Sequence, residues 1–95
     1  MKRFDWDIEK NKKLIKERNI SFEEIIIFIE QEKVIDVVDN PNPKYQHQKM
    51  FILDIKGYIF LVPFIETEET YFLKTIFPSR KATKEYLKEG NPYET

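Results

Sequence analysis

Two cations stand side by side just after a proline and a serine in Phe77-Pro78-Ser79-Arg80-Lys81-Ala82-Thr83-Lys84. Pro78 reads as a strand stop and Ser79 as a helix N-cap, so Arg80 and Lys81 fall in the first turn of a helix. The helix macrodipole is positive at that end, and each exposed cation there costs roughly 0.3–1 kcal/mol. The free N–H groups of the same turn attract anions, and neighbouring cations add to the pull. The chemistry on offer is phosphate binding and the stabilisation of charge that builds on a phosphate. Lys81, Lys84 and Lys88 recur at i, i+3 and i+7 as a cationic stripe. Lys84 and Lys88, one turn apart, repel by roughly 0.2–0.5 kcal/mol. A solvated lysine face softened by Glu85 and Glu89 is the plainer reading of this stripe.

If the phosphate held there belongs to RNA, cleaving it without a metal needs a base for the 2′-hydroxyl, an acid for the leaving oxygen and cations for the pentavalent phosphate. His47 is the only histidine, and a group titrating near neutrality suits either proton role. An exposed loop histidine is its plainer reading. Lys49, beside it in sequence, and Lys74 supply further positive charge. One histidine and no cysteine leave no Cys/His metal set, no disulfide and no thiolate chemistry. Asp5-x-Asp7-x-Glu9 opens like a calcium loop but lacks the Gly and terminal Glu that complete one. With Gly57 and Gly90 as the only glycines, a phosphate-cradling G-x-x-x-x-G-K-[ST] loop is excluded. No cofactor is expected.

The elements that must position these groups read as follows. Phe4 to Trp6 is a short edge strand. Asp7 caps a helix from Ile8 to about Arg18, with few apolar residues and a basic outer face, and Asn19 is its C-cap. Ser21-Phe22-Glu23-Glu24 is a capping box, with Ile20 and Ile25 as its hydrophobic staple. The helix it opens runs to about Gln31, and Ile25 to Ile29, apolar on every side, predict deep burial. Val34 to Val38 is a strand, and Asp39-Asn40-Pro41-Asn42-Pro43 a loop. Met50–Ile55 and Tyr58–Ile65 flank Lys56-Gly57, a two-residue hairpin turn. Phe51, Leu53, Ile55, Tyr58, Phe60, Val62 and Phe64 share one face of that hairpin. Ile52, Ile59, Leu61 and Ile65 share the other, so both faces need covering. Thr70–Phe77 is the next strand, on which Lys74 and Thr75 point to opposite faces. The last helix runs from about Arg80 to Glu89, with Gly90 and Pro92 ending it. The class is α+β: a short N-terminal strand, two helices, an antiparallel meander of three to four strands and a C-terminal helix.

Ninety-five residues predict one domain with one core. Sixteen basic and seventeen acidic side chains give a net charge of −1, so binding to nucleic acid must rest on local patches. The first eighteen residues hold such a patch (Lys2, Arg3, Lys10, Lys12, Lys13, Lys16, Arg18), and the last helix holds another. No apolar run reaches the roughly 20 residues of a membrane span, and no secretory leader is read. Absence of cysteine suits a reducing cytoplasm. Eight phenylalanines, five tyrosines and one tryptophan are many for this length, and some should mark an interface.

Three blocks, in order, carry a family resemblance: Phe4-Asp5-Trp6-Asp7, Ile20-Ser21-Phe22-Glu23-Glu24 and Ser79-Arg80-Lys81-Ala82-Thr83. From about Phe4 to Leu87 the chain resembles the BrnT family of toxins of type II toxin–antitoxin systems, within the RelE-like ribonuclease superfamily. The resemblance implies a metal-independent endoribonuclease in the cytoplasm, with Arg80 and Lys81 as phosphate-binding and transition-state cations. His47 or Lys49 would assist proton transfer or charge, and Lys74, Lys84 and Lys88 would contact RNA. It also implies a ribbon-helix-helix antitoxin, paired two to two with the toxin, which alone binds operator DNA. The chain departs from the family at Thr75, where relatives commonly carry an arginine, and at Lys49, which lacks the bidentate fork of the arginine often found nearby. These departures favour a second reading: a catalytically weak or inactive, toxin-derived module that binds RNA or antitoxin.

Overall fold

Capping residues set the first two helices. The computed structural model describes residues 2–87, so Lys88 and the helix stop at Gly90 and Pro92 lie outside the described residues. Asp7 accepts hydrogen bonds from the N–H groups of Glu9 and Lys10 and starts α1 (Ile8–Arg18), which Asn19 ends in the left-handed conformation (φ 55°). Ser21 and Glu24 form the reciprocal capping box of α2 (Phe22–Glu30).

The strands are β1 (Arg3–Trp6), β2 (Val34–Asp39), β3 (Lys49–Ile55), β4 (Tyr58–Glu66), β5 (Thr70–Leu73) and β6 (Phe77–Pro78), followed by α3 (Arg80–Leu87). They form one sheet in the order β1-β5-β4-β3-β2, with β6 also paired to β4. β2 with β3, β3 with β4, and β4 with both β5 and β6 are antiparallel pairs, and β1 joins the edge parallel to β5. Lys56 and Gly57 both take positive φ (53° and 84°), as the tight hairpin between β3 and β4 requires.

The expected single strand from Thr70 to Phe77 is broken in two. Phe64 pairs with Leu73, but Leu61 pairs with Phe77, so Thr75 and Ile76 together face the single residue Val62. This is a β-bulge. Its cause is Pro63: the Lys74 N–H donates to the Pro63 carbonyl (2.8 Å), but proline has no N–H to return the bond. The bulge also reverses one expectation. Lys74 and Thr75 do not point to opposite faces, because the extra residue turns both toward the α3 side of the sheet, where they line the same groove. Ile76 turns the other way, into the core, and its carbonyl accepts from the Arg18 guanidinium.

Both faces of the hairpin are covered, unequally. On one, Phe51, Leu53, Val62 and Phe64 pack with Leu14 of α1, Ile20 of the link after it, and Phe22 and Ile25 of α2 in the main core. On the other, Ile52 and Ile59 pack against Ala82 of α3, flanked by Leu61 and Tyr86. The deep all-round burial expected of Ile25 to Ile29 is not observed: Ile25 is buried, while Ile27 is 52% exposed. α2 is an outer layer on the sheet, so its far side meets solvent.

Asn11 ties the helices together. Its side-chain oxygen accepts from the buried Phe22 N–H (2.8 Å), and its amide donates to Glu23 (2.7 Å). That second bond, more than any other influence, lowers the Glu23 pKa from its usual 4.5. A carboxylate with a lowered folded-state pKa contributes stability present above its unfolded value and lost as pH falls through the folded one. Asn11→Ala strands the Phe22 N–H and should cost about 2 kcal/mol in denaturant unfolding at pH 7. The difference from the parent protein should shrink as the pH is lowered below about 4.

Candidate functional site

α3 starts where its cap and two threonine bonds put it. The Ser79 hydroxyl accepts from the Ala82 N–H (3.0 Å), and the Ser79 N–H donates to the Ile59 carbonyl of β4 (2.9 Å). Thr83 completes the tie. Its hydroxyl donates to the Ser79 carbonyl (2.7 Å) and accepts from the Ile59 N–H (2.9 Å). At the far side of the sheet the Tyr86 hydroxyl donates to Asp36 of β2 (3.0 Å). Burial first, and then the Asp36 bond and charge, raise the Tyr86 pKa above 10.0. Thr83→Val keeps the shape but leaves the buried Ile59 N–H without an acceptor. The expected loss is about 2 kcal/mol, with faster hydrogen exchange at the Ile59 amide as the local readout.

α3 covers only part of its sheet face. The remainder is a groove of two adjoining depressions, about 520 Å³ and about 290 Å³, which share Pro41, Met50 and Leu61. Its floor is apolar, from Met50, Leu61, Pro63 and Phe77. At the α3 end Lys81 stands among the lining residues with Ser79, Asp39 and Glu85. At the other end are Lys74, Thr75 and Lys10. The Lys74 ammonium lies 5.3 Å from the centre of the Phe72 ring. One wall is the loop from Asn40 to Gln48, held by a short 3₁₀ turn at Pro43–Tyr45 that Asn42 caps.

The residues singled out from the sequence divide between two surfaces. Lys81 and Lys74 line this groove, whereas Arg80, exposed beside Lys81 in the first turn of α3, lines neither depression. Among the described residues the ion pairs are Lys2 with Glu66 and Lys12 with Glu9, so acids tie up none of Arg80, Lys81, Lys84 or Lys74. Lys84 is exposed on α3, and Lys88 lies outside the described residues. His47 and Lys49 line a separate depression of about 550 Å³ with Lys2 and Glu66. Strand alternation explains the separation: Met50 faces the groove, so Lys49 turns away from it. In that depression the Lys2 bond, followed by the Lys2 and Lys49 charges, lowers the Glu66 pKa from 4.5.

Sequence reasoning missed Gln48, Lys10, Tyr45, Asp39 and Glu85 as lining residues. The signal for Gln48 was its spacing of two from Met50, which places it on the groove face.

Comparison with protein-family models, with curated proteins and with solved structures finds no match to this chain. The groove's own chemistry therefore carries the functional reading: an apolar floor, cations at both ends, a helix N-terminus above it and two carboxylates beside Lys81. Such a surface suits a flexible polyanion whose bases are apolar on their faces.

Proposed function

We propose that the chain is a RelE-like toxin of the BrnT type, which cleaves single-stranded RNA in the cytoplasm without a metal and is neutralised by a cognate antitoxin. The observation that carries this reading is the bulge at Thr75–Ile76. It sets Lys74 on the same groove as Lys81, so a cation stands on the strand that would otherwise lack one. RNA laid in the groove would place one phosphate against Lys81 and the N–H groups that open α3. A base then removes the 2′-hydroxyl proton, the 2′-oxygen attacks phosphorus, and the P–O bond to the 5′-oxygen breaks as that oxygen takes a proton from solvent water. The products are a cyclic phosphate and a free 5′-hydroxyl. Asp39 and Glu85, which share the Lys81 end of the groove, would take the first proton. The lysines would hold the extra negative charge of the pentavalent phosphate.

The antitoxin is proposed as a ribbon-helix-helix protein in a two-to-two complex, with operator DNA bound through it alone. The edge strand β2 suits such a partner, because Ile35 and Val37 are exposed on it and an edge offers unpaired backbone groups. Within the described residues no helix is long and apolar enough to cross a membrane.

The second reading, a weak or inactive RNA- or antitoxin-binding module, is favoured by the placement of His47 and Lys49 away from the groove and by Thr75 in place of an arginine. Expression with and without the neighbouring gene product separates the two. Growth arrest with RNA fragmentation, relieved by the partner, supports the toxin; RNA binding with no cleavage supports the module.

A further inference from the structure

Gln48 carries a buried side-chain amide that bonds to no other group among the described residues. It is 7% exposed between the exposed His47 and Lys49, and it lines the larger of the groove's two depressions. Among the described residues no side-chain atom that is fully sealed lacks a hydrogen bond, so the Gln48 amide is open to the groove rather than stranded in the core. A polar group held this way costs stability unless something bonds to it.

The backbone around Gln48 is fixed on both sides. Its N–H donates to the Tyr45 carbonyl (2.8 Å), and its carbonyl accepts from the Asn40 N–H (3.0 Å). The amide is thus presented with little freedom to lose on binding. Its surroundings suit a flat, uncharged heterocycle. Met50, Leu61 and Pro63 make an apolar floor, and Tyr45, 40% exposed, offers a ring at the wall. Asn40 and Asn42 use their side-chain oxygens on the backbone N–H groups of Asn42 and Lys44 (both 3.0 Å), which leaves their NH₂ groups as further donors. Lys74 stands at the same depression to meet a flanking phosphate. Apolar pockets with a few placed polar groups are the usual form of a small-ligand site, and an unstacked RNA base is recognised by stacking and by hydrogen bonds to its edge.

We propose that this depression is a nucleobase pocket and that Gln48 is its specificity residue, its carboxamide donating one hydrogen bond to the base edge and accepting another. The proposal rests on the RNA reading above and deepens it: the α3 end of the groove handles the phosphate, and the Gln48 end selects the neighbouring base.

The test titrates the full-length protein with the four mononucleoside 3′-phosphates (A, C, G and U) and follows side-chain amide resonances by NMR. In the parent protein the Gln48 amide signals should move. The best and worst bases should differ by roughly tenfold in affinity, as one good bidentate contact provides. Gln48→Met keeps the side-chain length and removes the amide. It should bind all four within about twofold and unfold at the same temperature or higher, since an unpaired polar group has been removed. Equal binding of the four bases by the parent protein overturns the proposal, as does a ranking that survives Gln48→Met. A clear drop in the variant's melting temperature also overturns it, by showing that the amide is structural. RNA cleavage with no base ranking sinks the pocket and leaves the ribonuclease reading intact. A ranking erased by Gln48→Met in a protein that never cleaves RNA does the reverse.

Discussion

Alanine at both Lys74 and Lys81 is expected to slow RNA cleavage by about 10³-fold or more, with little change in stability. Removing a single donor that meets charge only in the transition state typically costs about 10²–10³ in rate. Lys81 lines the α3 end of the groove, where the proposal puts the phosphate, and Lys74 lines the other depression, where it puts the flanking nucleotide. The two losses need not add, because groups acting on one bound strand work as a unit. Neither ammonium is in an ion pair among the described residues. Lys74 loses its contact over the Phe72 ring, worth about 0.5–1 kcal/mol at an exposed site. Binding supplies a second readout. Each phosphate contact to a single strand contributes about 0.7 to the salt slope, so the double variant should bind with a slope shallower by about 1.4. Lys33→Ala, exposed between α2 and β2, is the control. Cleavage that persists unchanged in the double variant removes the groove from the reaction.

The local signals in this chain were legible because each is complete within a few residues. Ser21 and Glu24 close their box within one turn. Asn19 and the Lys56-Gly57 pair adopt the positive φ that their positions predict. The alternation through the hairpin sorts Phe51 from Ile52 without knowledge of the rest of the fold. The bulge was harder to read, since its cause lies on one strand and its effect on another. Pro63 carried a usable warning, because a proline inside a central strand demands an irregularity beside it. Unbroken alternation would put Lys74 and Thr75 on opposite faces, and the groove would lack its second cation. The exposure of Ile27 was misread for a different reason. Apolar composition on all sides implies burial only where the protein has layers on all sides, and a chain of this size has one helix layer on each face of its sheet. Gln48 shows the same limit from the other direction: its residue type suggests a loop surface, while its register with Met50 places it inside.

Phe64→Ala should remove a large part of the stability of the folded state. Phe64 is 2% exposed and lies on β4, between β3 and β5, so it lines the main core from the middle of the sheet. Its ring stacks on Phe51 with centroids 4.1 Å apart and meets the edge of Tyr71 at 5.5 Å. Truncating a core phenylalanine costs about 3–5 kcal/mol, from the lost transfer energy and the cavity left behind. A chain of this length has a total stability of only about 5–14 kcal/mol. The residue pairs with Leu73 at the last ladder position before the bulge, so collapse into the cavity would pull on the segment that carries Lys74. The melting temperature should fall by at least about 15 °C, and RNA binding should weaken even at temperatures where the variant is still folded. Phe64→Leu refills much of the space without the ring, so it should recover most of the stability and return Lys74 to the groove. If Phe64→Ala melts within a few degrees of the parent protein, the main core is not centred where β4 places it. If Phe64→Leu restores stability but not RNA binding, the ring itself, rather than the filled volume, holds the bulged strand in place.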